Sequence, residues 1–206
     1  MPNPIDLFIK GGLVMWPLLV CSIIAVVILV ERVRLYNRSH SNMDVIRQQV
    51  GAMVEQGQWK DLKALCDEDG GVAAELIVAA TKQSHDADKQ VQTLQGTASA
   101  LAATLRHNLN YLETIVTLAP LLGLLGTVTG MMSTFSVLSI QNGEPFAITG
   151  GIGEALIATA TGLTVAIIAL VIHAYLAQRE DRLVSEMEEA ASIYMTALVG
   201  GDVDEA

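Results

Sequence analysis

TIVTLAPLLGLLGTVTGMMSTFSVLSI (Thr114–Ile140) and, after a short polar break, PFAITGGIGEALIATATGLTVAIIALVIHAYLAQ (Pro145–Gln178) decide the fold of this chain. From Thr114 to Gln178 the only charged side chains are Glu144 and Glu154, yet the stretch is dense in Gly, Ser and Thr. A helix that merely faces lipid has no use for so many small polar residues. Helices that pack closely do, because small side chains let backbones approach and hydroxyls find partners where water is absent. The segment reads as two membrane helices joined by a hinge at Gln141-Asn142-Gly143 and lining an assembly interface or a pore.

The rest of the chain agrees with a membrane setting. It is 51% hydrophobic but only 4% aromatic, with a mean hydropathy of +0.45. Three uncharged runs account for the excess: Gly11–Val30, Thr114–Gly143 and Ala155–Gln178. Each has at least the ~20 residues that a helix needs to cross a hydrocarbon core roughly 30 Å thick. The first run follows Lys10, exceeds the apolar core of a cleavable signal and has no small-x-small site before Arg32. It is therefore read as a retained helix, in which Pro17 is tolerated.

Lys and Arg near the membrane ends set the orientation. Arg32, Arg34 and Arg38 follow the first run, Arg179 and Arg182 follow the third, and the hinge has neither residue type. Positive-inside bias puts the N-terminus outside. The expected organisation is an external segment 1–10, a first span 11–30 and a cytoplasmic helical region 31–113. A second span 114–140, an external hinge 141–145, a third span 146–177 and a cytoplasmic tail helix 178–206 complete it. The net charge of −10 lies outside the spans and offers no basic groove for nucleic acid. Cys21 and Cys66 fit no metal or redox spacing and stay unpaired under this topology. With no nucleophile–base pair or metal cluster outside the membrane, the pattern favours no enzyme and calls for no cofactor.

Outside the spans every periodic signal is helical, so the expected fold class is an all-α membrane protein. Val45, Ile46, Val50, Met53 and Val54 share one face, ending near Gly57. Trp59, Leu62 and Leu65 share another, ending at the acidic turn 67–71, and a short helix is expected over Val72–Thr81. Val91, Leu94, Ala98, Leu101, Leu105, Asn108 and Leu112 form a heptad-like seam that runs without a breaker into the second span. Leu183, Met187, Ala190, Ala191, Tyr194 and Leu198 make an apolar stripe opposite Glu186, Glu188 and Glu189, so the third span should continue as an amphipathic helix. Gly200–Ala206 are expected to fray.

Gly123, Thr127, Gly130 and Thr134 recur at four, three and four, and so share one face of the second span. Ala155, Thr159, Gly162, Ala166 and Ala169 do the same on the third. Two readings fit that spacing. One is close helix packing, with hydroxyls bonded back to carbonyls four residues earlier. The other is a polar pore lining of Gly123, Thr127, Gly130, Thr134, Glu154, Thr159 and Gly162. Glu154 bears on the choice. If Pro145 opens the third helix, Glu154 lies nine residues in, about 13 Å along the axis, where a carboxylate usually faces protein or water and has a role. A helix starting near Ala155 would instead leave it wet. His173 is a further titratable candidate. No Asp, Lys or Arg occurs in any span, so either the chain does not conduct protons or a partner supplies the central carrier.

The stretch Ala119-Pro120-Leu121-Leu122-Gly123-Leu124-Leu125-Gly126-Thr127-Val128-Thr129-Gly130-Met131 resembles the second-span signature of the MotA/TolQ/ExbB proton-channel family. Gly153-Glu154-Ala155-Leu156-Ile157-Ala158-Thr159-Ala160-Thr161-Gly162-Leu163 resembles its third-span signature. Within the family the chain looks most like ExbB, with TolQ next. The resemblance implies a homo-oligomeric ring, typically of five subunits, in the bacterial inner membrane. The ring encloses the single helices of an ExbD-like partner that carries the proton-binding aspartate, and it drives a TonB-like protein. That aspartate is the carrier the chain itself lacks. Position by position, Thr127 and Thr159 match the family's polar pore threonines and Glu154 its third-span glutamate. The family's third span often carries an Ile-Pro pair where this chain has Ala166-Ile167-Ile168-Ala169. The alternatives are a TolQ-like subunit serving outer-membrane integrity and a three-span scaffold that conducts nothing.

Overall fold

The computed structural model describes residues 4–82, 87–140 and 145–203, and within them every element is a helix. In chain order these are α1 (Pro4–Lys10), α2 (Met15–Ser39), α3 (Met43–Val45), a π turn (Ile46–Val50), α4 (Gly51–Glu55), α5 (Trp59–Asp69), α6 (Val72–Thr81), α7 (Ala87–Arg106), α8 (Leu109–Ile140) and α9 (Pro145–Val203). They form two compact units. The first comprises residues 1–30 and 108–175, the second residues 31–107 and 176–206. The expected hinge at 141–143 lies outside the described residues.

The first unit is built inside out relative to a water-soluble domain. Leu121, Leu124, Val128 and Met132 of α8 and Leu156, Leu163, Ile167 and Val171 of α9 are exposed, whereas Ala119, Ala155, Ala158 and Ala169 are buried. Soluble proteins put large aliphatics inside. The reverse arrangement suits a solvent as apolar as leucine itself, where small residues bring helices together. Two helical stretches, Asp88–Phe135 and Thr149–Val199, are long and apolar enough to cross a membrane. The small core joins Val14, Met15 and Leu18 to Ala119 and Ala166, with Phe8, Leu122 and Val165 against it.

The start of the first apolar run differs from the expected continuous helix at 11–30. Residues 4–10 already form α1, and Gly11-Gly12 turn the chain into α2. Gly12 has φ of 72°, a left-handed conformation that only glycine adopts without strain. Pro17 then falls in the first turn of α2, where a missing N–H removes no intrahelical bond. Phe8 meets Trp16 edge to face at 5.2 Å, tying α1 to α2.

In the second unit α6 is the innermost element, with Val72, Ala73, Ala74, Leu76, Ile77, Val78 and Ala80 all buried. Ile46, Val50, Val54, Leu62 and Cys66 are buried with it, as are Leu94 and Leu105 of α7. Leu183, Met187, Ala190, Ala191 and Tyr194 of α9 are also buried, which is the apolar stripe read from the sequence apart from Leu198, which is half-buried. Fraying from Gly200 is not found, since α9 continues to Val203; residues 204–206 lie outside the described set. Glu186 and Glu189 are not simply solvated. Glu186 holds His40 Nδ1 at 2.8 Å, and Glu189 accepts from both Nε and Nη2 of Arg47. Both cysteines are free and buried.

The junction of α7 and α8 corrects the expectation of an unbroken helix. Helical bonding lapses at His107 and Asn108, and the last carbonyls of α7 find side-chain donors instead. Arg32 Nη1 donates to Thr104 O at 2.9 Å and to Leu105 O at 3.2 Å, while the Tyr36 hydroxyl donates to Leu105 O at 2.9 Å. Helix ends leave such carbonyls without intrahelical partners, and a guanidinium is well suited to serve two at once. Nearby, Arg106 pairs with the buried Glu180 at 3.2 Å.

Two buried phenols make the second unit alkali-sensitive. Burial pushes Tyr194 up to about 12, and its hydroxyl donates to Gln90 Oε1 at 2.8 Å. Tyr36 is also pushed up to about 12, chiefly by burial, with Arg32 opposing and Glu180 reinforcing the rise. A folded-state pKa above the unfolded value of about 10 favours the native state at all lower pH. That contribution is intact below about pH 10 and is lost as pH rises through about 12. In an alkaline titration followed by circular dichroism, stability should fall across this window and less steeply in Tyr194→Phe. The same variant should lose about 1 kcal/mol at neutral pH, because the hydrogen bond from Tyr194 to Gln90 goes. An alkaline transition unaltered by Tyr194→Phe would count against this role.

Candidate functional site

The small-residue faces of α8 and α9 meet each other, antiparallel, within the first unit. A methyl group on Gly162 would sit 2.6 Å from Ala119 O and 2.9 Å from Gly123 Cα. One on Gly123 would lie 3.2 Å from Ala158 O and Thr159 Cα, and one on Gly130 3.0 Å from Gly151 O. Backbone is thus packed on backbone. Gly123, Gly130 and Gly162 are buried in this seam, as the close-packing reading of their spacing requires. The sequence reading missed two partners in it, Gly126 against Ala158 and Gly151 against Thr134. Their signal was present in the same spacing, but spacing does not say which helix a face meets.

The hydroxyls divide three ways. Thr134 is buried and bonds back to Gly130 O, four residues earlier, at 2.9 Å. Half-buried Thr127 bonds back three residues, to Leu124 O at 2.6 Å. Thr159 alone among these three reaches across the seam, donating to Gly123 O at 3.2 Å. This last bond ties α9 to α8 and fixes the register of the helix pair. Gly123 and Thr127 are one turn apart on α8, about 6 Å along the axis, so Thr127 and Thr159 belong to one neighbourhood.

Glu154 stands inside α9, because that helix opens at Pro145. The alternative start near Ala155 is not found. Its side chain is half-buried and lies against the turn into α2, filling the space that a side chain on Gly12 would take. His173 does not join this group: it is fourteen residues beyond Thr159, about 21 Å along the axis. Among the described residues no three metal-binding side chains come together.

What these positions make is a tight antiparallel pair of apolar helices with a few hydroxyls and one carboxylate set into it. Residues 68–189 match the MotA/TolQ/ExbB proton channel family, and the chain belongs to that family. It is 37% identical to biopolymer transport protein ExbB-like 1 of Synechocystis over 188 residues, 88% of this chain and 73% of the relative. It is 30% identical to biopolymer transport protein exbB1 of Vibrio cholerae, over 86% of this chain and 80% of the relative. Similarity to the Tol-Pal system protein TolQ of Pseudomonas aeruginosa is 35% over 95 residues, 46% of this chain and 41% of that protein.

Proposed function

We propose that this protein is an inner-membrane proton-channel subunit that acts with an ExbD-like one-span partner to couple the proton motive force to a TonB-like protein. The observation that carries this reading is the site's composition. Thr127, Thr159 and Glu154 form a sparse polar group in proposed spans, 11–30, 114–140 and 146–177, that contain no Asp, Lys or Arg, so the path needs a carrier from outside the chain. The ExbB-type relatives, matched over most of this chain, support the ExbB assignment over the TolQ-like one, whose match covers less than half of it.

The topology has three spans, on α2, α8 and α9, with the N-terminus outside and the second unit in the cytoplasm. The division of the chain supports it, since the first unit takes the uncharged part of α2 and the apolar parts of α8 and α9. Subunits associate as a pentameric ring around the partner helices. Gly123, Gly130, Gly162 and Thr134 serve this path indirectly, by holding α8 on α9. Thr127, Thr159 and Glu154 are the groups that meet water or the partner's carboxylate.

The test is proton flux into liposomes under a pH gradient. The protein alone should leak slowly, and co-reconstitution with the one-span partner should open a fast path. Thr127→Val should cut that path roughly 2- to 10-fold, the equivalent of a net hydrogen bond of about 0.5–1.5 kcal/mol, without changing the size of the complex. Thr159→Val should cut it similarly while lowering stability, because the bond to Gly123 goes too. Fast flux from this subunit by itself, or valine variants and Glu154→Gln that all conduct normally, would sink the reading.

A further inference from the structure

The turn at Gly11-Gly12 joins α1 to α2 and belongs to the same compact unit as α8 and the first part of α9. Gly12 has φ of 72°, and the position its Cβ would occupy is filled by the Glu154 carboxyl group. The neighbouring Gly11 is buried, and a methyl there would reach Ile157, one turn along α9, at 3.2 Å. Two features of residue 12 are therefore separable. The backbone requires glycine for its left-handed φ, and the carboxylate requires glycine for its space. Gly70 shows the first requirement without the second, with φ of 64° and nothing within 4 Å of the place a methyl would take.

We infer that Gly12 is a positioning residue for Glu154: its missing side chain leaves the space, at the turn into α2, where the carboxylate rests. The N-terminal helix pair thereby sets the location of the one carboxylate in the polar group. What a methyl at residue 12 meets is the far end of a flexible side chain rather than backbone. The carboxylate would move aside at little steric cost, so the effect falls on its location more than on folding. The opposite holds at Gly162, where the obstacle is backbone. The functional consequence rests on the proton role proposed for Glu154, but the placement of the carboxylate does not.

The experiment uses the full chain in detergent and in liposomes with its one-span partner. Glu154 is probed directly by its rate of modification with dicyclohexylcarbodiimide, read by mass spectrometry across a pH series, alongside proton flux. Gly12→Ala should shift the labelling rate of Glu154 several-fold and cut flux, with a melting shift no larger than that of Gly70→Ala. Adding Glu154→Asp, one methylene shorter, should restore part of the flux. If Gly12→Ala does not fold, Gly12→Asn serves in its place, because asparagine tolerates left-handed backbone. Unchanged Glu154 labelling in a folded Gly12 variant overturns the inference. If labelling shifts while flux is normal in both that variant and Glu154→Gln, the positioning stands and the proton role of Glu154 falls.

Discussion

Gly162→Leu separates α8 from α9 and leaves a protein that neither melts cooperatively nor runs as a defined complex in detergent. The obstacle is backbone, with Ala119 O and Gly123 Cα already 2.6 and 2.9 Å from the first added carbon, so no rotamer relieves it. Even Gly162→Ala should cost about 1–3 kcal/mol, the usual range for overpacking. The control is Gly96→Ala on α7, where a methyl meets nothing within 4 Å. There the substitution should gain about 0.5–1 kcal/mol, because glycine is a poor helix former. Circular dichroism melts and detergent sizing of the three variants check the pattern. A Gly162→Leu protein with wild-type melting and size would mean that the helix pair is wrong.

Arg32→Met should unfold the second unit at lower temperature, with a loss of about 1.5–3 kcal/mol by the usual worth of charged hydrogen bonds. Arg32 is 4% exposed, and one of its nitrogens serves two carbonyls in the last turn of α7, those of Thr104 and Leu105. Methionine matches its bulk but leaves the Thr104 carbonyl without that donor, and it removes the positive charge beside Tyr36. Lysine, shorter but still charged, should recover part of the loss. Tyr36→Phe should cost less, about 1 kcal/mol, because Leu105 O keeps its bond to Arg32. Denaturant melts followed by circular dichroism give the order. Equal stability of Arg32→Met and wild type would show that α7 ends without help from this side chain.

Local pattern was enough to read much of this chain. The helix over Val72–Thr81 and most of the buried stripe on the tail of α9 follow from periodicity, and proline's place in a first turn made Pro145 one of the two starts open for α9. The threonine and glycine spacings likewise put Gly123, Gly130 and Gly162 on common faces. What periodicity could not supply was the identity of the neighbour, since a small-residue face has the same spacing whether it meets a helix of its own chain or of another. Arg32 illustrates the second limit. In the sequence it reads as a charge marking the inner side of a membrane, but its acceptors lie more than seventy residues away at a helix end that the heptad seam does not reveal. Gly12 illustrates a third. A Gly-Gly pair ahead of an apolar run signals a turn, but nothing local says that a carboxylate from α9 fills the vacancy.

Each compact unit carries one buried thiol, Cys21 in the first and Cys66 in the second. Burial, reinforced by Asp69 and Asp67, pushes the Cys66 thiol up to about 11, so at neutral pH little of it is the nucleophilic thiolate. Unfolding restores an ordinary thiol and its reactivity. A maleimide dye therefore reports the opening of the second unit through Cys66, and Cys66→Ser leaves Cys21 to report on the first. The chain thus comes with one native thiol reporter per unit, and a comparison of wild type with Cys66→Ser tests whether the two units open together or apart.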